Sequence, residues 1–242
     1  MNMKQKQIKI LLVIAISANI SAFSQISSGQ DFKPVSQNML NNPDPEDWLM
    51  WRGSYENWGY SPLTEINQDN VDQLRLAWSW EFAPAAPGSN GMQVEPTVYD
   101  GVIYIRHSNE KYSAHNAATG DLIWQYSRIL AAEVAGYETR LTVHRGRGVF
   151  IYEDKLISHS TDGMLFALNP RDGSLIWEVA MQDFRSGQQP SGAPVAYGGS
   201  LVVPYNCTAW TAPDPCHLSA YSTEDGSLLW RWFTSPTPED PM

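Results

Sequence analysis

One eleven-residue pattern occurs three times at a constant spacing. Each copy has an alanine, a polar corner that contains a glycine, and an apolar segment that ends in tryptophan; the copies occupy residues 114–124, 167–177 and 220–230, a period of 53 residues. A fixed period of about this size is typical of a repeat protein in which every repeat is one structural unit. The chain is therefore predicted to consist of stacked repeats.

The residues of the pattern favour a β-propeller blade. Thr119-Gly120 and Asp172-Gly173 supply the positive φ that a tight antiparallel corner needs. The closing tryptophan has a flat indole that can cover the contact between neighbouring sheets. Chance pairs of Asp-Gly and Trp in another β protein are the alternative, which three copies at one period make a poor explanation.

A second hairpin signal precedes each copy, as in residues 98–105 around Asp100-Gly101. Each repeat thus has two strands before the pattern and two within it, so we predict an all-β fold, a β-propeller of four-stranded antiparallel blades. Residues 74–80 alternate between apolar and polar side chains and are predicted to be the outer strand of an earlier, irregular blade.

Residues 1–24 have the order of a secretory signal peptide. Lys4, Lys6 and Lys9 precede the apolar residues 10–16, and small residues lead to an expected cleavage after Ser24. An uncleaved membrane anchor is the alternative, although the apolar run is short for a bilayer-spanning helix. We therefore expect export to the periplasm with no membrane span after cleavage, an extended lead-in over 25–46 and a partial propeller over 47–242.

The charge of the chain excludes one class of partner. The formal net charge is −10, and removal of the signal peptide takes three lysines and no acidic residue with it. Nucleic-acid phosphates require a basic surface, so nucleic-acid binding is not expected.

Two cysteines, Cys207 and Cys216, bracket a short proline-containing loop. An exported protein meets an oxidising compartment, which favours a disulfide between them. Two unpaired thiols are the alternative. A metal site is less favoured, because only His217 adjoins the pair.

Several stretches outside the repeat resemble the pyrroloquinoline quinone (PQQ) dependent dehydrogenases, the eight-bladed quinoprotein alcohol dehydrogenase family. The likeness lies in Asn-Pro-Asp-Pro at 42–45, Asp-Trp-Leu-Met-Trp-Arg at 47–52, Tyr-Ser-Pro-Leu at 60–63 and Trp-Arg-Trp-Phe-Thr at 230–234, together with the tryptophan-ended repeats. The resemblance implies that about half of the ring is present. It places the catalytic carboxylate in later blades, so no catalytic residue is assigned here.

The resemblance also implies an activity. In the family an alcohol or related hydroxyl substrate is oxidised by hydride transfer to PQQ beside a calcium ion, and the electrons pass to cytochrome c or another acceptor. Half a ring leaves open strand edges, which self-association is one way to cover.

Four residues correspond to cofactor positions of the family, and they are Gln93, Arg147, Ser191 and Asn206. Gln93 stands where the family has a glutamate, with Glu95 two residues on; Arg147 matches the arginine of an Arg-Gly-Val sequence, and Ser191 matches a hydroxyl residue ahead of Ala-Pro. A guanidinium suits quinone and carboxylate oxygens. An ion pair for Arg147 and a turn role for Ser191 are the alternatives.

The chain departs from the family pattern at two places. Leu141 and Thr142 stand where many members have adjacent cysteines that lie over the cofactor, so that disulfide is absent. Ala209 stands where a glutamate binds calcium, and alanine has no oxygen to offer. Asn206 or a backbone carbonyl is the remaining ligand for this corner, so calcium is the cofactor that the resemblance supports least.

The segment from Cys207 to Cys216 resembles a branch of the family with a Cys-loop-Cys in this blade. A second function belongs to a different class: a non-catalytic β-propeller that binds or scaffolds other proteins, or an inactive gene fragment. Gln93 and Ala209 favour that alternative, whereas the match over residues 42–63 favours the enzyme family.

Overall fold

The protein was analysed as a computed structural model. The structure describes residues 32–81, 94–107, 110–130, 134, 148–186, 188–190, 192–207 and 216–234.

The strands of the described residues form three antiparallel sheets, each with four consecutive strands in sequence order. Blade 1 contains β1 (Thr97–Tyr99), β2 (Val102–Arg106), β3 (Lys111–Asn116) and β4 (Leu122–Ser127). Blade 2 contains β5 (Phe150–Tyr152), β6 (Lys155–His159), β7 (Met164–Leu168) and β8 (Leu175–Ala180). Blade 3 contains β10 (Val195–Tyr197), β11 (Ser200–Cys207), β12 (His217–Ser222) and β13 (Leu228–Phe233), and the short strand β9 (Gln188–Pro190) pairs with one end of β11.

The three blades repeat one another in register as well as in sequence. Ala114 lies opposite Trp124, Ala167 opposite Trp177 and Ala220 opposite Trp230, and in each blade the register shifts just after the alanine. The prediction of an all-β fold with four-stranded antiparallel blades is confirmed.

The first hairpin of each blade follows from its turn residues. In blade 1 Asp100 and Gly101 have φ of +47° and +71°, and in blade 3 Gly198 and Gly199 have φ of +55° and +78°. Two consecutive residues of positive φ give the turn whose twist matches that of the flanking strands. The Asp-Gly sequence therefore sets the strand pairing that positions the rest of the blade.

The blades contact each other through a tryptophan and a glycine. We call Gly120, Gly173 and Gly226 the corner glycines; their φ values are +77°, +72° and +75°. An added Cβ would lie 2.6 Å from the Trp78 indole at Gly120, 2.5 Å from Trp124 at Gly173 and 2.8 Å from Trp177 at Gly226. A side chain is excluded at these corners by space as well as by backbone conformation.

Two of these three indoles also donate a hydrogen bond to the unit that they cover. Trp78 Nε1 donates to Ala117 O at 3.0 Å, and Trp124 Nε1 donates to Pro170 O at 2.8 Å, each acceptor lying three residues before its corner glycine. Trp177 Nε1 is buried without an acceptor. Each contact between blades thus joins the fourth strand of one unit to the corner of the next.

Burial is deepest in blade 2. Every residue of β5 is buried, and so are four of the five in both β6 and β7, because this blade has a described neighbour on each side. At its contact with blade 1, Tyr112 meets Phe166 edge-on at 5.3 Å, and Arg128 pairs with Asp162 at 2.9 Å and Glu178 at 2.6 Å. The contact between blades 1 and 2 therefore combines apolar packing with ion pairs.

The lead-in differs from the extended segment that we expected over 25–46. It contains the helix α1 (Gln37–Asn41), which begins where Ser36 Oγ accepts a hydrogen bond from Met39 N at 3.3 Å. A serine at this position satisfies an otherwise unpaired backbone N–H, which explains the helical turn.

The segment that begins with the lead-in crosses all three blades. Val35 pairs with Glu153 of blade 2 and Trp48 pairs with Val98 of blade 1, and the Tyr55 hydroxyl donates to Ala196 O of blade 3 at 2.5 Å. Its few hydrogen bonds therefore fasten the three sheets to one another.

Residues 74–80 differ from the predicted strand. Trp78 covers Gly120 in the way that a fourth strand does, yet no strand is assigned over residues 74–80. A strand needs a neighbour, and within the described residues none lies beside this segment. Its Trp80 instead packs against the His115 ring, with centroids 4.6 Å apart.

Candidate functional site

The segments that lead into the first strands of the blades touch one another. Gly148, at the entrance to blade 2, has a φ of +100°, and an added Cβ would lie 2.8 Å from Glu95 O at the entrance to blade 1. Thr97 Oγ1 donates to Val149 O at 2.8 Å across the same contact. The entrances to blades 1 and 2 are therefore held together by a close backbone approach and a buried hydrogen bond.

A histidine of blade 2 bonds to the entrance of blade 3. His159, at the end of β6, bonds through Nε2 to Gly192 O at 3.0 Å. A carbonyl only accepts, so Nε2 carries the proton. Burial, with a smaller effect from the charge of Arg106, lowers the pKa of His159 to about 3. The ring is thus neutral at physiological pH and acts as a fixed donor between the two entrances.

A buried ion pair lies beside this histidine. Arg106 and Glu110 are 3% and 4% exposed, and Arg106 Nη2 lies 3.0 Å from Glu110 Oε1. Glu110 also accepts from the Tyr112 hydroxyl at 3.1 Å and from the Thr161 hydroxyl at 2.6 Å. The Tyr112 hydroxyl in turn lies 3.2 Å from His159 O, so the cluster connects blade 1 to the entrance contacts.

The positive charge of Arg106 is balanced by the negative charge of Glu110, but one N–H group of Arg106 has no hydrogen-bond acceptor. Burial is the largest influence on the pKa of Arg106 and would lower it, but the charge of Glu110, the interaction with Tyr112 and the hydrogen bond to Glu110 together hold the pKa above its ordinary value. The Glu110 carboxylate accepts four hydrogen bonds, whereas Arg106 Nη1 is buried without an acceptor. A buried guanidinium N–H that lacks an acceptor is a donor available to a ligand or a water.

Asn206 is brought alongside the segment that precedes Ser191. In the backbone register of β9 and β11, Asn206 lies opposite Gln189 and Tyr205 lies opposite Pro190. Sequence reasoning missed β9, because it is short and lacks alternation. The pairing brings the backbone of one predicted cofactor residue beside the strand that leads to another.

Glu95, two residues after Gln93, bonds to residues that precede blade 1. Its Oε1 accepts from Trp48 Nε1 at 2.5 Å and from Arg52 N at 2.8 Å. The carboxylate is thereby committed to the segment before blade 1. Gln93 itself, Arg147 and Ser191 lie outside the described residues, and so do Leu141, Thr142 and Ala209.

Sequence analysis did not identify a histidine–serine–histidine chain that the structure shows in blade 1. Ser113 Oγ lies 2.6 Å from His107 Nε2 and 2.8 Å from His115 Nε2, and His115 Nδ1 bonds to Gly120 O at 3.2 Å. Burial, followed by the charges of His115 and Lys111, lowers the pKa of His107 to about 4. Ser113 and His115 are two residues apart on one strand and therefore share a face, which was the sequence signal for this contact. Both residues are buried, so the chain is part of the core.

The two cysteines flank the same end of the β11–β12 hairpin. Cys207 is the last residue of β11, and Cys216 directly precedes β12, where its carbonyl accepts from Thr234 N at 2.7 Å. The strand register ends at Pro204 opposite Leu218, just before both cysteines. Their pairing remains a prediction.

Two features are absent from the residues that the structure describes. No cluster of three or more His, Cys, Asp or Glu side chains with the spacing of a metal site occurs in this part of the chain. Among the same residues, no helix has the length and apolar character needed to cross a bilayer.

Comparison with known proteins identifies the family to which the chain belongs. Residues 48–242 match the family described as the PQQ glucose/ethanol/alcohol dehydrogenase β-propeller domain. The dehydrogenase subunit of a quinone-dependent alcohol dehydrogenase from Gluconobacter oxydans is 31% identical over 98% of this chain. The quinoprotein alcohol dehydrogenase PedH from Pseudomonas putida is 28% identical over 95% of it.

Solved structures give the same result for the fold. The quinohemoprotein alcohol dehydrogenase ADH-IIG of Pseudomonas putida superposes on 85% of this chain with a TM-score of 0.74 and 27% identity, and this covers 30% of that structure. A europium-containing methanol dehydrogenase superposes with a TM-score of 0.72 at 22% identity, covering 85% of this chain and 35% of that one, and it supports the fold alone. The chain spans 31% and 37% of the length of the two curated relatives named above.

Proposed function

The chain belongs to the PQQ β-propeller family of glucose, ethanol and other alcohol dehydrogenases, and from this membership we propose that it is the N-terminal portion of an exported PQQ-dependent dehydrogenase. The complete enzyme would oxidise an alcohol or related hydroxyl substrate by hydride transfer. The observation that carries this proposal is the contact between the segments that lead into the blades. Arg147 and Ser191 directly precede Gly148 and Gly192 of these segments.

Each predicted residue has a role that its chemistry suits. Arg147 would donate to quinone and carboxylate oxygens, Ser191 would donate through its hydroxyl, and the amides of Gln93 and Asn206 would donate without adding charge. When bound, PQQ supplies the carbonyl carbon that accepts the hydride. The described entrances support these roles, because Gly148 follows Arg147, Gly192 follows Ser191, and both glycines are held by neighbouring blades.

The described side chains fit an acceptor-rich cofactor better than they fit a metal ion. PQQ carries carboxylate and quinone oxygens that accept hydrogen bonds. The buried Arg106 has an unpaired N–H, and His159 presents a neutral ring whose proton is already committed to Gly192 O. Asn206 is the side chain here that we propose toward calcium, and no step is assigned to that ion.

Several further features belong to the same proposal. A cleaved signal peptide over 1–24 would deliver the chain to the periplasm, and a disulfide between Cys207 and Cys216 would form there. Electrons would leave through cytochrome c or another acceptor, in keeping with the quinohemoprotein names of several relatives. Self-association is one way in which the open strand edges would be covered.

A cofactor titration tests the proposal. The purified chain without residues 1–24 is titrated with PQQ, with and without calcium, and binding is followed by quinone absorbance and tryptophan fluorescence. We expect saturable binding at one PQQ per chain, lost in Arg147→Ala and retained in Arg171→Ala, an exposed arginine at a blade corner. A folded protein that binds no PQQ at high micromolar concentration would contradict the proposal, and the non-catalytic propeller would then be the better assignment.

A further inference from the structure

Two arginines lie at the contact between blades 1 and 2, and they differ in how their nitrogens are used. Every side-chain nitrogen of Arg128 has a carboxylate partner: Nε and Nη2 bond to Asp162 at 3.1 and 2.9 Å, and Nη1 bonds to Glu178 at 2.6 Å. The Arg106 side chain is more deeply buried, 4% exposed against 13% for Arg128. Its Nη2 bonds to Glu110 at 3.0 Å, but its Nη1 has no acceptor among the described residues. Arg106 therefore keeps one N–H that the contact between the blades does not use.

The missing partner of Arg106 is a hydrogen-bond acceptor rather than a counter-ion. Glu110 already balances the charge of the guanidinium. A buried donor without an acceptor destabilises the fold, and such groups are rare in folded proteins. An N–H in this state suits an oxygen acceptor that a ligand supplies.

The repeat indicates which part of the molecule this strand end approaches. Arg106 is the last residue of β2 and His159 is the last residue of β6, one 53-residue period later. From this position His159 donates to Gly192 O at the entrance to the following blade. For Arg106 the following blade is blade 2, whose entrance begins at Gly148.

Hydrogen bonds around Arg106 support this placement. The Tyr112 hydroxyl donates to Glu110 at 3.1 Å and to His159 O at 3.2 Å. Ser158, one residue before His159, donates through Oγ to Gly148 O at 3.4 Å. The cluster that contains the unpaired N–H is therefore bonded to the backbone at the entrance to blade 2.

Both entrances carry a residue that we predicted to bind the cofactor. Arg147 directly precedes Gly148, and Ser191 directly precedes Gly192. The same cluster thus holds the backbone beside each of these two residues, through Ser158 and His159.

We propose that Arg106 Nη1 donates a hydrogen bond to an oxygen of bound PQQ, so that Arg106 is a further cofactor-binding residue. The inference rests on the proposed function and adds a residue that the resemblance to the family did not assign. A hydrogen bond from a guanidinium is charge-assisted, and it is stronger than one between neutral groups. Arg106 should therefore contribute to the affinity for PQQ in addition to its ion pair with Glu110.

A variant that removes both charges of the ion pair tests the inference. Arg106→Leu combined with Glu110→Leu leaves no buried charge without a partner, so this double-leucine variant should fold. The chain without residues 1–24 and this variant are titrated with PQQ, and binding is followed by tryptophan fluorescence. We expect the dissociation constant to rise about 10- to 100-fold, as for the loss of one hydrogen bond to a charged group. Circular dichroism under the same conditions checks that both proteins are folded.

Two control variants separate the N–H from the rest of the contact. Glu110→Gln keeps the guanidinium, and Arg128→Leu removes an arginine whose nitrogens all have partners at the same contact between blades. Both are expected to bind PQQ about as tightly as the parent chain. A loss in Arg128→Leu as large as in the double-leucine variant would overturn the inference, because the effect would then come from blade packing.

The parent chain distinguishes failure of this inference from failure of the proposed function. A parent that binds PQQ, with a double-leucine variant that binds it equally well, would overturn the role of Arg106 alone; Nη1 would then bond to water. A folded parent that binds no PQQ would contradict the proposed function and this inference with it.

Discussion

Trp124 and Trp230 occupy the same position in their blades and differ in what lies beyond them. Trp124 is 7% exposed, covers Gly173 and donates to Pro170 O, while Trp230 is 44% exposed. Within their own sheets the two tryptophans have the same environment, since each lies opposite an alanine of the third strand. The burial of a fourth strand is therefore determined by the next blade rather than by its own.

The largest expected difference comes from removing each indole. Trp124→Ala should lower the free energy of unfolding by about 3–5 kcal/mol, because it empties a packed contact. Trp230→Ala should cost less than about 1 kcal/mol, since it removes a largely exposed side chain. Urea denaturation of both variants measures the difference, and equal losses would show that the Trp230 side chain is covered in solution.

The ion pair at the contact between blades 1 and 2 gives the next effect. Glu110→Ala should cost about 3 kcal/mol, because it leaves the buried Arg106 without its counter-charge and removes the acceptor of Thr161 in blade 2. Glu224→Ala, at an exposed corner, is the control and should be near neutral. Chemical denaturation of the two variants checks this, and a double variant that replaces both Arg106 and Glu110 by leucine should recover much of the loss.

The corner glycines separate backbone strain from tryptophan contact. Gly173 and Gly101 have almost the same φ, +72° and +71°, but an added Cβ meets the Trp124 indole at Gly173 and nothing within 4 Å at Gly101. Gly173→Ala should therefore cost about 2 kcal/mol more than Gly101→Ala, the excess coming from overpacking. If thermal and urea unfolding find the two variants equally destabilised, the indole contact contributes nothing at this corner.

Acid should weaken the contact that His159 makes between blades 2 and 3. The pKa of His159 is about 3 in the folded state, whereas the ordinary value for histidine is 6.5. As the pH falls, the unfolded chain therefore binds this proton before the folded chain does. The free energy of unfolding should then decrease as the pH drops from about 6.5 towards 3. The loss should be about 1.4 kcal/mol per pH unit from this residue. His159→Gln keeps a donor for Gly192 O without titrating, and its unfolding free energy should fall less steeply between pH 6.5 and 5.

The repeat, the hairpins and the four-stranded blades could be predicted from sequence because each depends on local residues. Asp100-Gly101 determines its turn, and the 53-residue period identifies the unit. Residues 74–80 have the alternation of a strand but not its structure, since pairing depends on a neighbour that no local pattern reveals. Ser36 similarly starts a helix in a stretch where composition alone suggested extended backbone.

The site was less predictable than the fold. The cluster of Arg106, Glu110 and Thr161 joins residues from two blades, and the bond from His159 to Gly192 joins two others. Such contacts depend on how sheets stack, which the sequence of one blade does not encode. The predicted residues Gln93, Arg147 and Ser191 came from resemblance alone, and their roles remain predictions.

The exchange of the indole protons with solvent tests the docking of tryptophan on glycine most directly. Nitrogen-15 spectra of the chain without residues 1–24, with signals assigned by single Trp→Phe variants, give the exchange rate of each Nε1 proton. We predict slow exchange for Trp78 and Trp124, which donate to backbone carbonyls of the next blade, and fast exchange for Trp230. Exchange of Trp230 as slow as that of Trp124 would contradict the account, because the Trp230 indole would then be covered without a blade corner over it.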